Sequence, residues 1–464
     1  MQTRSAFLRE SRALLHLAGP IIVSQVAQVL MGLVDTLMSG QAGASQQAVV
    51  ALGVALWIPA LVTLMNIVGA LSPVIAHHFG AGDLTAVAHD AREGIWLAAS
   101  LGALPLLLVP WAPDFLEFAG IAPELAARTG VFLWGIGLGL PAAMVYRALA
   151  FYSASINRTR PIAVLSFVGL GLNALLNWLF INGRFGLPAM GGAGCGWATG
   201  IGMWVSLTCL ALWTARAPAY RATYIWRDWR WPTWASQWNL LKLGLPMGVA
   251  GFVEVTAFTS VAVMVGRFGD VQIAAHQIAL NFASLVFMLP FGVSTAVAIR
   301  IGHALGARDP LAARRTGWTG LALGLVIAAL ATIPCTLLRH QVASLYSSDE
   351  AVRALAARLL LFAACWQLFD ATQVIAIGAL RGHKVTVLPM LLMIAAFWGL
   401  GVPIGIWLGY HGVAGSGPLE VYGFWIGLVV GLVTVSLALA ASLRRVADDA
   451  VREAASTRAA SSLA

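Results

Sequence analysis

Apolar runs of about twenty residues recur from one end of this chain to the other, and no other feature limits its fold so strongly. A run of that length crosses the hydrocarbon core of a bilayer as one helix. Lipid offers a bare N–H or C=O no partner, so a spanning segment must satisfy its backbone internally, and long continuous runs do so as helices. Spans are expected near 13–38, 48–76, 94–112, 129–152, 162–181, 193–215, 239–265, 273–299, 317–338, 354–380, 388–410 and 422–443, twelve in all. Hydrophobic residues make up 59% of the chain and charged residues 10%. Ordinary soluble domains carry about a quarter charged residues, so a soluble globule is excluded. The first run is too long for a signal-peptide core, and no small-residue cleavage site follows a short one, so it is read as a retained span.

Arginine and lysine orient the spans. Twenty of them fall at the N-terminus, in the loops after spans 2, 4, 6, 8 and 10, and in the tail, against six on the opposite side. Positive charge marks the cytoplasmic side, so both termini are expected there. The net charge of +9 then reflects topology and contact with anionic lipid headgroups, and no nucleic-acid partner is expected. The linker Ala217–Trp238 sets Trp226, Trp229, Trp231, Trp234 and Trp238 among arginines, which suits the headgroup level. The tail beyond Arg445 is polar and rich in Ala and Ser and is expected to fray.

The chain also restarts. Leu15–Pro20 (Leu-His-Leu-Ala-Gly-Pro) stands 226 positions before Leu241–Pro246 (Leu-Lys-Leu-Gly-Leu-Pro). Phe-Gly-Ala-Gly-Asp (79–83) and Leu-Gly-Ala-Arg-Asp (305–309) share that offset, as do Ala-Pro-Glu (122–124) and Ser-Asp-Glu (348–350). Six spans per half give both halves the same orientation, related by a pseudo-twofold axis along the membrane normal. The expected fold class is therefore an all-α polytopic membrane protein of two six-helix lobes. Residues 1–216 form the N-terminal lobe, 217–238 a cytoplasmic interfacial linker, 239–445 the C-terminal lobe and 446–464 a cytoplasmic tail.

Of 19 acidic residues, Asp35, Glu254 and Asp370 fall well inside expected spans. A charge at mid-bilayer costs at least about 2.5–3.5 kcal/mol on insertion scales, so each needs a partner or a function. Gln25, Gln28, Gly32, Asp35 and Ser39 step by three and four along span 1; Met247, Gly251, Glu254 and Phe258 do so on span 7, and Trp366, Asp370, Gln373 and Ile377 on span 10. Such stripes face protein or water. The halves differ chemically, since Glu254 aligns with Gln28 and Asp35 with Val261. Asn173 and Asn177 share a face of span 5, and Gln277, Asn281 and Ser284 a face of span 8, where hydrogen bonding between helices is the simpler alternative. Arg147, at the inner end of span 4, is read as snorkelling to the interface. His77, His78 and His303 lie at loop edges and are read as solvated. Cys195, Cys209, Cys335 and Cys365 have no metal or disulfide spacing and are read as packing residues. No P-loop, GxSxG or HExxH occurs, and neither an enzyme nor a bound cofactor is expected.

Gln-Val-Ala-Gln and Val-Asp-Thr-Leu-Met-Ser-Gly (within 25–40) resemble the first helix of multidrug and toxic compound extrusion (MATE) transporters. Phe-Gly-Ala-Gly-Asp (79–83), Ala-Ala-His-Gln-Ile-Ala (274–279) and Leu-Arg-Gly-His-Lys-Val-Thr (380–386) also match, and the similarity runs over about 11–443, nearest the bacterial NorM-like branch. The resemblance implies a V of two lobes whose cleft opens alternately to either side. It makes Asp35 an essential helix-1 acid and Asn173, Asn177 and Thr199 its companions in a cation cluster. It assigns Glu254 and Asp370 to cation or cationic-drug binding, and it draws Phe258, Gln277 and Asn281 into the substrate site. An acidic pair that contacts drug in some relatives falls at Ser347-Ser348-Asp349-Glu350.

The function this implies is efflux of amphipathic, cationic drugs or dyes from a bacterial inner membrane, by antiport with transported Na⁺ or H⁺. The ion stays open, with Glu254 and Asp370 leaning toward Na⁺. Lipids are the surrounding partners, and a monomer is expected. The competing reading is a flippase for lipid-linked or polyanionic intermediates, which would need basic residues in the cleft. Arg147 and Lys242 are the interior candidates for that role.

Overall fold

The computed structural model describes residues 2–463 apart from 187, 228 and 414–416, with side chains described from Phe7 to Thr457 outside those gaps. Twelve helical spans among these residues are long and apolar enough to cross a membrane. They are α1 Phe7–Gln41, α2 Ala44–Gly80, α3 Leu84–Phe118, α4 Pro123–Ser155, α5 Arg160–Asn182, α6 Gly192–Arg216, α7 Trp234–Phe268, α8 Asp270–Gly306, α9 Pro310–Leu337, α10 Glu350–Gly382, α11 Val387–His411 and α12 Val421–Thr457. The regular elements among the described residues are all helical, as the apolar runs require.

Several helices run beyond their apolar cores because capping chemistry, rather than hydropathy, sets their ends. The repeated Gly-Asp and Arg-Asp motifs do this in both halves. Gly82 (φ 77°) and Arg308 (φ 59°) turn the chain through the left-handed region. The next residue, Asp83 or Asp309, then accepts the N–H of Ala86 or Ala312 as an N-cap. Span 3 therefore starts at Leu84, ten residues before its apolar run. The third shared motif shows a one-residue slip in the repeat. Ala122 caps α4 and Asp349 caps α10, and Asn157 and Lys384 are the left-handed residues just beyond the two helices, so here the offset is 227. Asp349 accepts from the Val352 N–H at 3.0 Å, so this acid is occupied in starting a helix.

Two compact units emerge: Val23–Gly248, and Met1–Ile22 with Val249–Ala464. The boundaries fall after Ile22 and after Gly248, again 226 apart and two residues past Pro20 and Pro246. Each proline removes one backbone hydrogen bond from its helix. The start of α1 is pinned within the second unit by Glu10, which pairs with Arg300 at 2.7 and 2.8 Å and accepts from Thr316 at 2.7 Å. The start of α7 is pinned within Val23–Gly248 by Glu93 on α3, which accepts the N–H and hydroxyl of Thr233 and an amide N–H of Gln237. Glu93 is buried. Neither acid lies in an apolar run, and both serve the architecture.

Close packing rests on small residues. Gly135 and Gly139 of α4 face Gly196 and Gly200 of α6, and a Cβ on Gly200 would strike the carbonyl oxygen of Gly135. Gly401, Gly405 and Gly409 of α11 face Gly423, Gly427 and Gly431 of α12 in the same way. Lipid supplies no hydrophobic drive between helices, so backbone-to-backbone approach at four-residue spacing carries the packing. The tail differs from expectation. Beyond Arg445 it stays helical to Leu463, supported by an Arg314–Asp448 pair at 3.0 Å, by Arg452–Asp449 at 3.7 Å and by the high helix propensity of its alanines.

Gly200→Ala is expected to destabilise the protein by about 1–3 kcal/mol through overpacking. Gly202→Ala, inside the same helix where an added Cβ meets nothing within 4 Å, should hold stability or raise it by up to about 1 kcal/mol. Thermal unfolding of the two purified variants in detergent checks the pair.

Candidate functional sites in the two units

In Val23–Gly248 the polar stripe of α1 meets α5 and α6. Asn173 and Asn177, one turn apart, point the same way from α5 and are 1% and 0% exposed. The Asn177 amide donates to Asp35 Oδ1 at 2.6 Å and to Asn173 Oδ1 at 3.3 Å, and the Asn173 amide donates to Thr199 Oγ1 at 3.3 Å. Asp35, Asn177, Asn173 and Thr199 thus form one hydrogen-bonded chain. The Asn177 Oδ1 is buried and has no hydrogen-bond partner. A buried carbonyl left unpaired beside a carboxylate is costly, and a cation would relieve it. Cys195 packs behind, with its sulfur 4.0 Å from the Asp35 carbonyl oxygen.

The same unit corrects the reading of Arg147. It does not snorkel: its guanidinium turns inward, donating through Nη1 to Gln25 Oε1 at 3.3 Å and through Nη2 to Gln28 Oε1. Lys242 stays exposed, its ammonium 5.8 Å from the Trp238 ring.

In the other unit, Glu254 of α7 accepts the amide N–H of Gln373 at 3.0 Å. Gln373 is 1% and Asp370 5% exposed, one turn apart on α10. Asp370 lies one turn beyond Trp366 on α10 and within electrostatic range of Glu254. Phe258 packs against Trp366 at 5.2 Å and Phe397 at 5.8 Å between ring centroids, so the acids border an aromatic wall. Gln277 and Asn281 are exposed on α8, and no hydrogen bond joins them to this cluster among the described residues. Their neighbour His276 is fully buried instead. It accepts from the Trp425 indole at 3.2 Å, and Trp425 in turn packs against Trp366 at 6.1 Å. The signal for His276 was a lone histidine in an apolar run. Arg381, a loop residue by hydropathy, lies in the last turn of α10 within electrostatic range of Glu254. Among the described residues no three His, Cys, Asp or Glu side chains converge as a metal centre.

The geometry defines a multi-pass membrane protein of repeated six-span halves with intramembrane carboxylates in each unit that join no ion pair among the described residues, and comparison with known proteins makes the class specific. The MatE family profile matches residues 20–179 and 246–407. The chain is 41% identical over 445 residues to the probable multidrug resistance protein NorM of Chromobacterium violaceum, covering 96% of this chain and 95% of that one. It is 40% identical over 445 residues to the multidrug resistance protein PmpM of Pseudomonas aeruginosa, covering 96% and 93%. The crystal structure of the eukaryotic MATE transporter AtDTX14 superposes with a TM-score of 0.85 at 20% identity, covering 97% of this chain and 99% of that one, which shows the shared fold. The chain belongs to the MatE family, in its NorM-like branch.

Gln373→Leu should cost about 1–3 kcal/mol, since it strips the half-buried Glu254 carboxylate of its donor. Gln277→Leu, on an exposed side chain, should stay within about 0.5 kcal/mol of the parent. The midpoints of thermal unfolding in detergent decide between these outcomes.

Proposed function

We propose that the protein is an ion-coupled exporter of amphipathic, cationic organic compounds in a bacterial inner membrane, with both termini cytoplasmic. The observation that carries this reading is the set of three intramembrane carboxylates, Asp35, Glu254 and Asp370. None of them takes part in an ion pair among the described residues. The side chains beside them are neutral: Asn177 donates to Asp35, Gln373 donates to Glu254, and Trp366 stands one turn before Asp370. An intramembrane carboxylate outside any ion pair is neutralised by whatever cation can reach it, Arg381 acting on Glu254 only from a distance. A proton, a sodium ion and an organic cation compete for it, and that competition is antiport once access alternates between the two sides.

The two clusters differ in what they suit. Asp35 with the oxygens of Asn173, Asn177 and Thr199 offers hard oxygen ligands, apt for Na⁺ or H⁺. Glu254 and Asp370 beside Phe258, Trp366 and Phe397 add aromatic faces that attract organic cations. Gln277 and Asn281 extend the substrate surface along α8. The names of the relatives, multidrug resistance proteins, support the same cargo. Each charge entering with the membrane potential contributes about 2.3 kcal/mol per 100 mV. One coupled ion therefore sustains roughly a fiftyfold gradient of a neutral solute, since about 1.4 kcal/mol is a factor of ten.

Proteoliposomes loaded with ethidium test the proposal. Efflux is expected under a sodium gradient or a pH gradient imposed alone, and the effective gradient names the ion. Asp35→Asn, Glu254→Gln and Asp370→Asn should each lower coupled efflux at least about tenfold. Full coupled efflux in all three variants would sink the assignment.

A further inference from the structure

We propose that Arg147, held by Gln25 and Gln28, is a binding point for an organic carboxylate within the unit Val23–Gly248. The assignment rests on the export reading for the source of the ligand, a transported solute that carries an acid group.

Four observations lead there. Arg147 is half-buried within the membrane-spanning helix α4. Its two acceptors, Gln25 and Gln28, are neutral amides. None of the ion pairs among the described residues involves it. Of the five N–H bonds that a guanidinium carries, these two contacts engage two. A cation partly withdrawn from water with neutral partners alone is costly, and a neutral amide or Met could pin α1 to α4 at lower cost. The positive charge therefore calls for an anion that the described residues do not provide.

The repeat sharpens this. Gln28 stands 226 positions before Glu254, and each takes a hydrogen bond from the fourth helix of its half: Gln28 from Arg147, Glu254 from Gln373. The helix caps place those two donors within one residue of equivalence. The same helix–helix contact thus carries a net positive charge in one unit and a net negative charge in the other. A cargo bearing positive charge alone gives Arg147 no role. One planar guanidinium matches one carboxylate through paired N–H···O bonds. A diphosphate would call for further cations, and Lys242 is exposed elsewhere against Trp238.

The test measures binding of rhodamine B, which carries a free carboxylate, and of its ethyl ester, by fluorescence polarisation. The purified full chain is held in phosphatidylcholine nanodiscs. The parent protein should prefer the acid. Arg147→Gln should weaken binding of the acid by about ten- to a hundredfold while leaving the ester within about twofold. Arg147→Lys, which keeps the charge but loses the fork, should retain part of the preference. A purely structural pin would move acid and ester together in Arg147→Gln, and that result overturns the proposal. If the parent binds the ester as well as the acid, the carboxylate site fails while the export reading stands; if neither dye binds, both fall. Loss of the acid preference when phosphatidylglycerol replaces phosphatidylcholine would put a lipid phosphate on Arg147, and this too overturns the assignment to a solute.

Discussion

Hydrocarbon offers a polar group no hydrogen bond, and this one deprivation shapes the molecule at every level. It confines the spanning backbone to helices, because each N–H must find a carbonyl within its own segment. It removes the hydrophobic drive between helices, so contact depends on how closely backbones approach, and the glycines at four-residue spacing on α4, α6, α11 and α12 supply that approach. It also gathers polar side chains onto one another. Asp35, Asn177, Asn173 and Thr199 are linked in series, and so are Glu254 and Gln373, because each alone would be left bare in the bundle.

The duplicated halves show how one architecture is held by different chemistry. The start of α1 and the start of α7 are each pinned by a carboxylate, half-buried at Glu10 and buried at Glu93. In one case the acid is on the pinned helix, Glu10, and its partners are Arg300 and Thr316. In the other it is on the receiving helix, Glu93, and its partners are Thr233 and Gln237. What the duplication preserves is the contact and its satisfied hydrogen bonds, while the residue that carries the charge has changed sides.

Much of this was legible before any coordinates. Twelve spans follow from run length alone, whereas the meeting of Asp35 with Asn177 is what the family resemblance implied, on stripes whose helical spacing requires only that they face protein or water. What escaped the sequence was governed by partners on other helices. Arg147 read as a residue able to snorkel because its length and position allow it, and only Gln25 and Gln28 turn it inward. Arg381 read as a loop residue because hydropathy ends a span where apolar character ends, whereas α10 ends at its cap, His383. His276 was hidden for the opposite reason, a polar ring wholly enclosed in an apolar run, its role visible once Trp425 is beside it. The tail read as frayed because its composition is polar; its helix depends on Arg314, more than a hundred residues away, as well as on its own alanines.

Unequal charge in equivalent places follows from the same deprivation. A duplicated bundle begins with two identical polar contacts, and either copy can exchange an amide for a charged side chain, provided a mobile ligand offsets the desolvation. Where the charge is negative, as at Glu254 beside Gln373, a cation would offset it; where it is positive, as at Arg147 beside Gln28, an anion would. An unpaired intramembrane charge is stable in proportion to how well its ligand fits, and it is costly whenever that ligand leaves. The free energy of each empty state is thereby tied to occupancy, which is the coupling that a transporter needs and that a bundle of neutral contacts cannot supply.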